Sequence, residues 1–211
     1  MLERLLETKK PLEIILPSRK QVRDYFGKVR LLDALKSLTA LEGTPESLES
    51  IFARLTPILP VRSFSTGNEV EEIANQIFEA MGHAGGLTSL IDPCYTVVSE
   101  LASNVVQHSE AKRGWVLAQR YNYSSGRVIE IAVGDSGIGI RRSLRKNPNL
   151  RARITGDVIA VRESVKESIS RFSDPHRGYG LYYVGAEMRF PDRRFMIRSG
   201  VGCSVVYDNG R

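Results

Sequence analysis

The chain has 211 residues, 42% hydrophobic and 26% charged, with a formal net charge of +6 and a pI near 9.4. That length holds one good domain and a small appendage, and the composition is that of a globular chain rather than a disordered or fibrous one. No run approaches the ~18 apolar residues of a membrane span, Met1-Leu2-Glu3-Arg4 does not open a signal peptide, and Cys94 and Cys203 lack metal spacing, so a cytoplasmic protein with free buried thiols and no structural zinc is expected.

Residues 1–62 differ in pattern from the rest of the chain. Leu12-Glu13-Ile14-Ile15-Leu16-Pro17 predicts a short strand, and Ser18 is placed to cap a helix from Lys20 to about Val29. A second helical run covers 31–41, Gly43-Thr44-Pro45 breaks it, and a short helix over 47–55 ends at Pro57 and Pro60. The strand followed by Val22-Arg23-Asp24-Tyr25-Phe26 distantly resembles the end of a STAS-like module, a kind that partners regulatory ATPases. The other readings of this segment are docking on the rest of the chain and dimerisation.

Residues 63–211 carry the motifs. A helix is expected over 69–81, then a glycine-rich connection holding His83. From Asp92-Pro93, a plausible cap and first turn, the apolar positions Tyr95, Val98, Leu101, Ala102 and Val105 recur with the period of a buried helical stripe to about Gln107. On that helix Glu100, Asn104 and His108 are spaced by four and look the same way, either into a site or out to solvent as a polar stripe.

Strands are expected over 115–121 and 127–134, the second running into Gly134-Asp135-Ser136-Gly137-Ile138-Gly139. Asp135 at a strand end accepts hydrogen bonds only, which suits an exocyclic amine. Gly137 and Gly139 allow a ligand close to the backbone, although Asp-Ser-Gly is also ordinary turn chemistry.

The connection over about 140–177 is long, polar and rich in arginine, with one short helix expected from Gly156-Asp157 to near Ser170. Segments of this kind between core elements are lids, binding loops or disordered. Its arginines suit triphosphate oxygens or an acidic partner equally. Arg177-Gly178-Tyr179-Gly180-Leu181 then opens a buried helix over 181–188, where exposed N–H groups and the helix dipole attract an anion. Strands over 194–198 and 203–207 close the chain around Ser199-Gly200-Val201-Gly202.

In order and chemistry, Glu100-x-x-x-Asn104, Asp135-x-Gly137-x-Gly139 and Gly178-x-Gly180-Leu181 resemble the GHKL, or histidine kinase-like, ATPases: gyrase B subunits, large heat-shock chaperones, histidine kinases and mismatch-repair ATPases. Ser99-Glu100-Leu101 through Asn104 and His108 looks most like the anti-sigma-factor serine kinases and related bacterial regulators. The resemblance covers about residues 64–208.

It implies the Bergerat fold, an α/β (α+β) two-layer sandwich with helices on one face of a mixed β-sheet. It also implies ATP and Mg²⁺ as ligands. Asn104 would ligate the metal, Asp135 would accept from the adenine amine, and Gly137 and Gly139 would line the adenine side. Arg177, Gly178, Tyr179, Gly180 and Leu181 would wrap the phosphates beneath the lid, and Glu100 would activate the nucleophile. His108 either reaches a phosphate or packs.

Two departures matter. Tyrosine at 179 stands where a small or aliphatic residue is usual, and no long helix with an exposed histidine precedes Glu100, so a complete sensor kinase is not expected. The expected function is that of an Mg-ATP-binding regulatory protein, a protein kinase or ATPase acting on a protein partner in bacterial signalling. The alternative is a non-catalytic ATP-gated switch. Members of the superfamily often dimerise. The basic charge sits mostly in the lid and in Arg189, Arg193, Arg194 and Arg198, without an aromatic-interleaved basic motif, so nucleic acid is not the expected partner.

Overall fold

The computed structural model describes residues 19–31, 33–34, 58–83, 88–124, 126–174 and 176–207. Helix α1 spans Lys20–Lys28, in agreement with the sequence. The strand expected over 12–17, the helix over 47–55 and most of the run over 31–41 lie outside the described residues.

The main unit starts at β1, Leu59–Phe64, a strand the sequence did not announce because Pro60 argued against it. The division expected between residues 62 and 63 falls inside this strand. It pairs antiparallel with β2, Gly114–Tyr123, and the register slips between Leu59 and Arg62, beside the proline. β2 then pairs antiparallel with β3, Gly126–Asp135, from Gly114 opposite Asp135 to Tyr123 opposite Gly126.

Two helices cover one face of this sheet. Helix α2, Gly67–His83, begins with a reciprocal cap: Glu69 Oε2 accepts from the Ser65 and Thr66 N–H groups at 2.7 and 3.0 Å, while the Glu69 N–H donates to Thr66 Oγ1 at 3.3 Å. It runs through Gly82 and His83, which the sequence had left to a connection. Helix α3, Thr88–His108, starts before the expected Asp92-Pro93 cap and carries Pro93 inside it. An interior proline costs about 3 kcal/mol, and the packing of Leu90 and Ile91 on the core offsets it.

Ile73, Ile77 and Met81 of α2, Val98 and Ala102 of α3, and Val116 and Ala118 of β2 are all essentially inaccessible to solvent and form one cluster with Phe64. Helices are not confined to that face. Gln119 points the opposite way from Val116 and Ala118, and there the Tyr25 hydroxyl of α1 donates to its Oε1 at 2.8 Å. The Tyr121 hydroxyl donates to the same oxygen at 2.6 Å, and the Val61 N–H donates to Val29 O at 2.9 Å. The N-terminal helix therefore docks on this chain's own sheet.

The segment expected to be a lid folds around a small core of its own. Helices α4 (Gly139–Leu144), α5 (Pro148–Arg151) and α6 (Asp157–Ser164) bury Leu144, Leu150, Ile154 and Ala160, with Ile140 and Ile169 packed against them. Helix α6 stops at Ser164, short of the expected Ser170. Helix α7, Gly180–Glu187, packs against α3 and leads into β4, Arg194–Ser199, and β5, Gly202–Tyr207. These two strands pair antiparallel around a two-residue turn with Gly200 at φ 59°.

Helices with antiparallel sheets make this an α+β protein. The expected single mixed sheet is not what the described residues form: strand pairs are all antiparallel, in a three-stranded sheet β1-β2-β3 and a separate hairpin β4-β5. β3 and β4 both line one open cleft. Of the cysteines, Cys94 is half-buried and Cys203 is exposed, so the expectation of two buried thiols fails for the second. Among the described residues no helix is long and apolar enough to cross a membrane.

Candidate functional site

The cleft is bounded by α3, β3, the lid, the start of α7 and β4, and its volume is about 2780 Å³. Glu100, Asn104, His108, Asp135, Gly137, Gly139, Arg177, Gly178, Tyr179, Gly180 and Leu181 all line it. Ligand pockets run to roughly 1,000 Å³, so a single small ligand would fill only part of this space.

The first and third motifs touch. A Cβ on Gly180 would overlap Glu100 Oε2 and lie 3.5 Å from Asn104 Nδ2. Glu100 is half-buried on α3, and desolvation raises its pKa above the ordinary 4.5. Asn104 Nδ2 donates to Glu100 O at 2.8 Å, one turn back along the helix. That bond uses one of the amide's two N–H donors, and no hydrogen bond engages its oxygen among the described residues.

The second motif is fixed to the end of the same helix. Ile138 N–H donates to Ser109 O at 2.7 Å, and a Cβ on Gly137 would overlap that carbonyl. Asp135 Oδ1 accepts from the Gly137 N–H at 2.7 Å, closing an Asx turn. The turn therefore engages one oxygen of this carboxylate. Gly139, at φ 76°, lies against Ser199 Oγ, which accepts from the Ile140 N–H at 2.9 Å.

Gly178 sits at φ 94°, with a Cβ there only 2.6 Å from the Ile169 nitrogen. A side chain is excluded by conformation and by space alike. Tyr179 stacks on Tyr183 with centroids 6.1 Å apart, and its hydroxyl accepts from Ser168 Oγ at 3.1 Å. The ring therefore bridges Ser168 and α7.

His108 packs against Phe172 while lining the cleft. Its ring lies 5.4 Å from that of Phe172, its Nδ1 is buried without a hydrogen-bond partner, and burial, then Arg171 and Arg177, push its pKa down to about 4.

Phe172 is instead held between the guanidinium groups of Arg171 and Arg177, at 4.9 and 5.0 Å from its ring centre. Arg177 Nη1 also donates to Gln107 Oε1 at 2.8 Å, and Arg171 Nη1 to Glu110 Oε1 at 3.2 Å. Lys146 pairs with the same Glu110. These contacts clasp the lid to the end of α3.

Sequence reasoning missed Phe172, Gln107, Glu110 and the buried Asn147. Asn147 Nδ2 donates to Ser170 O and Phe172 O at 2.9 and 3.2 Å, and its Oδ1 accepts from the Asn149 N–H at 3.0 Å as the cap of α5. Asn before Pro is a readable helix-start signal. The reach back to Ser170 is not readable from spacing. In comparisons with known proteins, no family model, no curated protein and no solved structure matches the chain.

Proposed function

We propose that the chain is an Mg-ATP-binding regulatory protein of the histidine kinase-like class, acting as an ATP-dependent kinase or ATPase on a protein partner. The observation that carries the reading is the contact of Gly180 with Glu100 and Asn104, residues about 80 positions apart in sequence. A chance glycine motif has no reason to lie against a carboxylate and an amide of the kind that phosphoryl transfer uses.

The donor set fits the ligand. Asn104 Oδ1 would hold the magnesium ion, Asp135 Oδ2 the adenine amine, and the backbone of Gly178 to Gly180 the phosphates, with the dipole of α7 behind them. When bound, Mg-ATP supplies the phosphoryl group and neutralises the charge that builds up as it transfers. Glu100 orients the nucleophile and accepts its proton. The raised pKa brings this base nearer to neutrality, where proton transfer is more efficient.

Calorimetric titration with ATP, with and without Mg²⁺, and then a phosphate-release assay on the same sample, tests this. Asn104→Ala is expected to abolish Mg-dependent binding, and Glu100→Ala to retain binding and lose turnover. Tight Mg-ATP binding by the Asn104 variant overturns the metal assignment, and binding without turnover in the native chain leaves the non-catalytic switch.

A further inference from the structure

A second, smaller pocket of about 430 Å³ opens beside the cleft, between α4, the start of α6 and the β4–β5 turn. Arg141, Arg142 and Arg145 line it together with Asp157, Gly139 and Gly200. We propose that this pocket docks an acidic segment of a protein partner through its carboxylates. The proposal names the partner chemistry of the function above and rests on that reading for its purpose, not for its binding.

The charge is concentrated here. Residues 139–177 carry ten basic and four acidic side chains, a net +6 that equals the formal charge of the whole chain. Inside the pocket the three arginines differ in their commitments. Arg145 Nη1 donates to Arg151 O and Ile154 O at 2.8 and 2.9 Å, which holds its guanidinium in place. Arg141 lies 3.8 Å from Asp157 Oδ1, and the other oxygen of that carboxylate accepts from the Val201 N–H at 3.2 Å. Asp157 is thus tied to the turn and offsets one of the three charges. Arg142 is exposed and has no partner among the described residues.

Two glycines complete the pocket. A Cβ on Gly200 would overlap Asp157 Oδ2, and a Cβ on Gly139 would come within 3.0 Å of Ser199 Oγ. Asp157 and Ser199 take up the space beside these glycines, which leaves the open part of the pocket to the arginines, and planar guanidinium recognises carboxylates in pairs of hydrogen bonds. The lining holds no aromatic residue, so it offers no platform for stacking a nucleic-acid base. Gly139 lines both the pocket and the cleft. A docked partner therefore touches the same turn as a bound nucleotide.

The test is fluorescence anisotropy of a labelled octa-glutamate peptide on the full chain, with an octameric single-stranded DNA and inorganic phosphate as competing probes, in buffers with and without Mg-ATP. Arg142→Glu is compared with Arg162→Glu, the same charge change on an exposed arginine of α6 that does not line the pocket. Peptide affinity is expected to fall about tenfold in the first variant and less than about twofold in the second, with melting temperature and ATP titration unchanged in both. Equal losses in the two variants would mean diffuse attraction and overturn the site. DNA bound as tightly, with the same dependence on Arg142, would replace the acidic protein by nucleic acid, and phosphate binding without peptide binding would leave only a simple anion site. Peptide binding that depends on Arg142 in a chain that fails to bind ATP would keep this site and remove the proposed function.

Discussion

Gly180 meets Glu100 with no room for a methyl group between them: a Cβ at 180 would overlap the carboxylate oxygen Oε2 and come within 3.2 Å of its carbon. The obstructed atoms are the far end of a flexible side chain. Gly180→Ala is therefore expected to fold, with a melting temperature within about 2 °C of the native protein, because Glu100 can swing aside. The displaced carboxylate should lower turnover roughly a hundredfold while Mg-ATP still binds. A variant that turns over normally would show that the contact has no part in the chemistry.

Gly137 presents the opposite case. Its Cβ would overlap Ser109 O and lie 2.6 Å from the carbonyl carbon, and this is backbone at the end of α3. Gly137→Ala should cost more than about 2 kcal/mol, since the turn or the helix end must shift, and should show a clear fall in the urea midpoint.

Glu100 also sets a pH dependence. Its folded-state pKa is raised, so the folded protein holds this proton more tightly than the unfolded chain does. The group's contribution is fully present below its ordinary value of 4.5 and is lost as the pH rises through the raised value. Glu100→Gln should therefore melt higher than the native protein at neutral pH, and the difference should close on acidification. Thermal melts across that range decide it, and a native protein that is the more stable at neutral pH would show the carboxylate to be paired.

The cap of α2 behaves with the reverse sign. Hydrogen bonds from the Ser65 backbone, then the Ser65 hydroxyl and the Thr66 backbone, hold Glu69 below its ordinary 4.5, so its contribution is present above that value and lost as the pH falls through the lowered one. Thr66→Ala should destabilise by about 1 kcal/mol at neutral pH, measured by chemical denaturation. Substitution at Asn68, which is exposed between them, should change little.

The parts of the fold and site that were legible from sequence are those fixed by local periodicity. The Glu100, Asn104 and His108 spacing, the strand into Asp135 and the helix after Gly180 depend on neighbours a few residues away. What escaped depends on partners far along the chain. Pro60 sits in a strand because an outer strand tolerates a missing donor, and Pro93 lies inside a helix because Leu90 and Ile91 pack on the core upstream of it. Phe172 looked like an isolated aromatic in a polar stretch, and only its position between Arg171, Arg177 and His108 makes it the clasp of the lid. The single mixed sheet failed for the same reason: strand propensity predicts strands, not which edges join.

The uncovered sides of β3 and β4 give the molecule a slow clock that can be read without any substrate. Backbone amides of β3 that turn away from β2 have no protein acceptor among the described strands, so they should trade hydrogen for deuterium at rates typical of a loop, while their neighbours, locked to β2, hold on far longer. Helix α7 runs directly from Gly180 into the segment that begins β4. β3 itself lines the cleft, so a molecule that fills it changes how long those particular protons stay, and an isotope-labelled spectrum of one strand becomes a record of whether the cleft is filled.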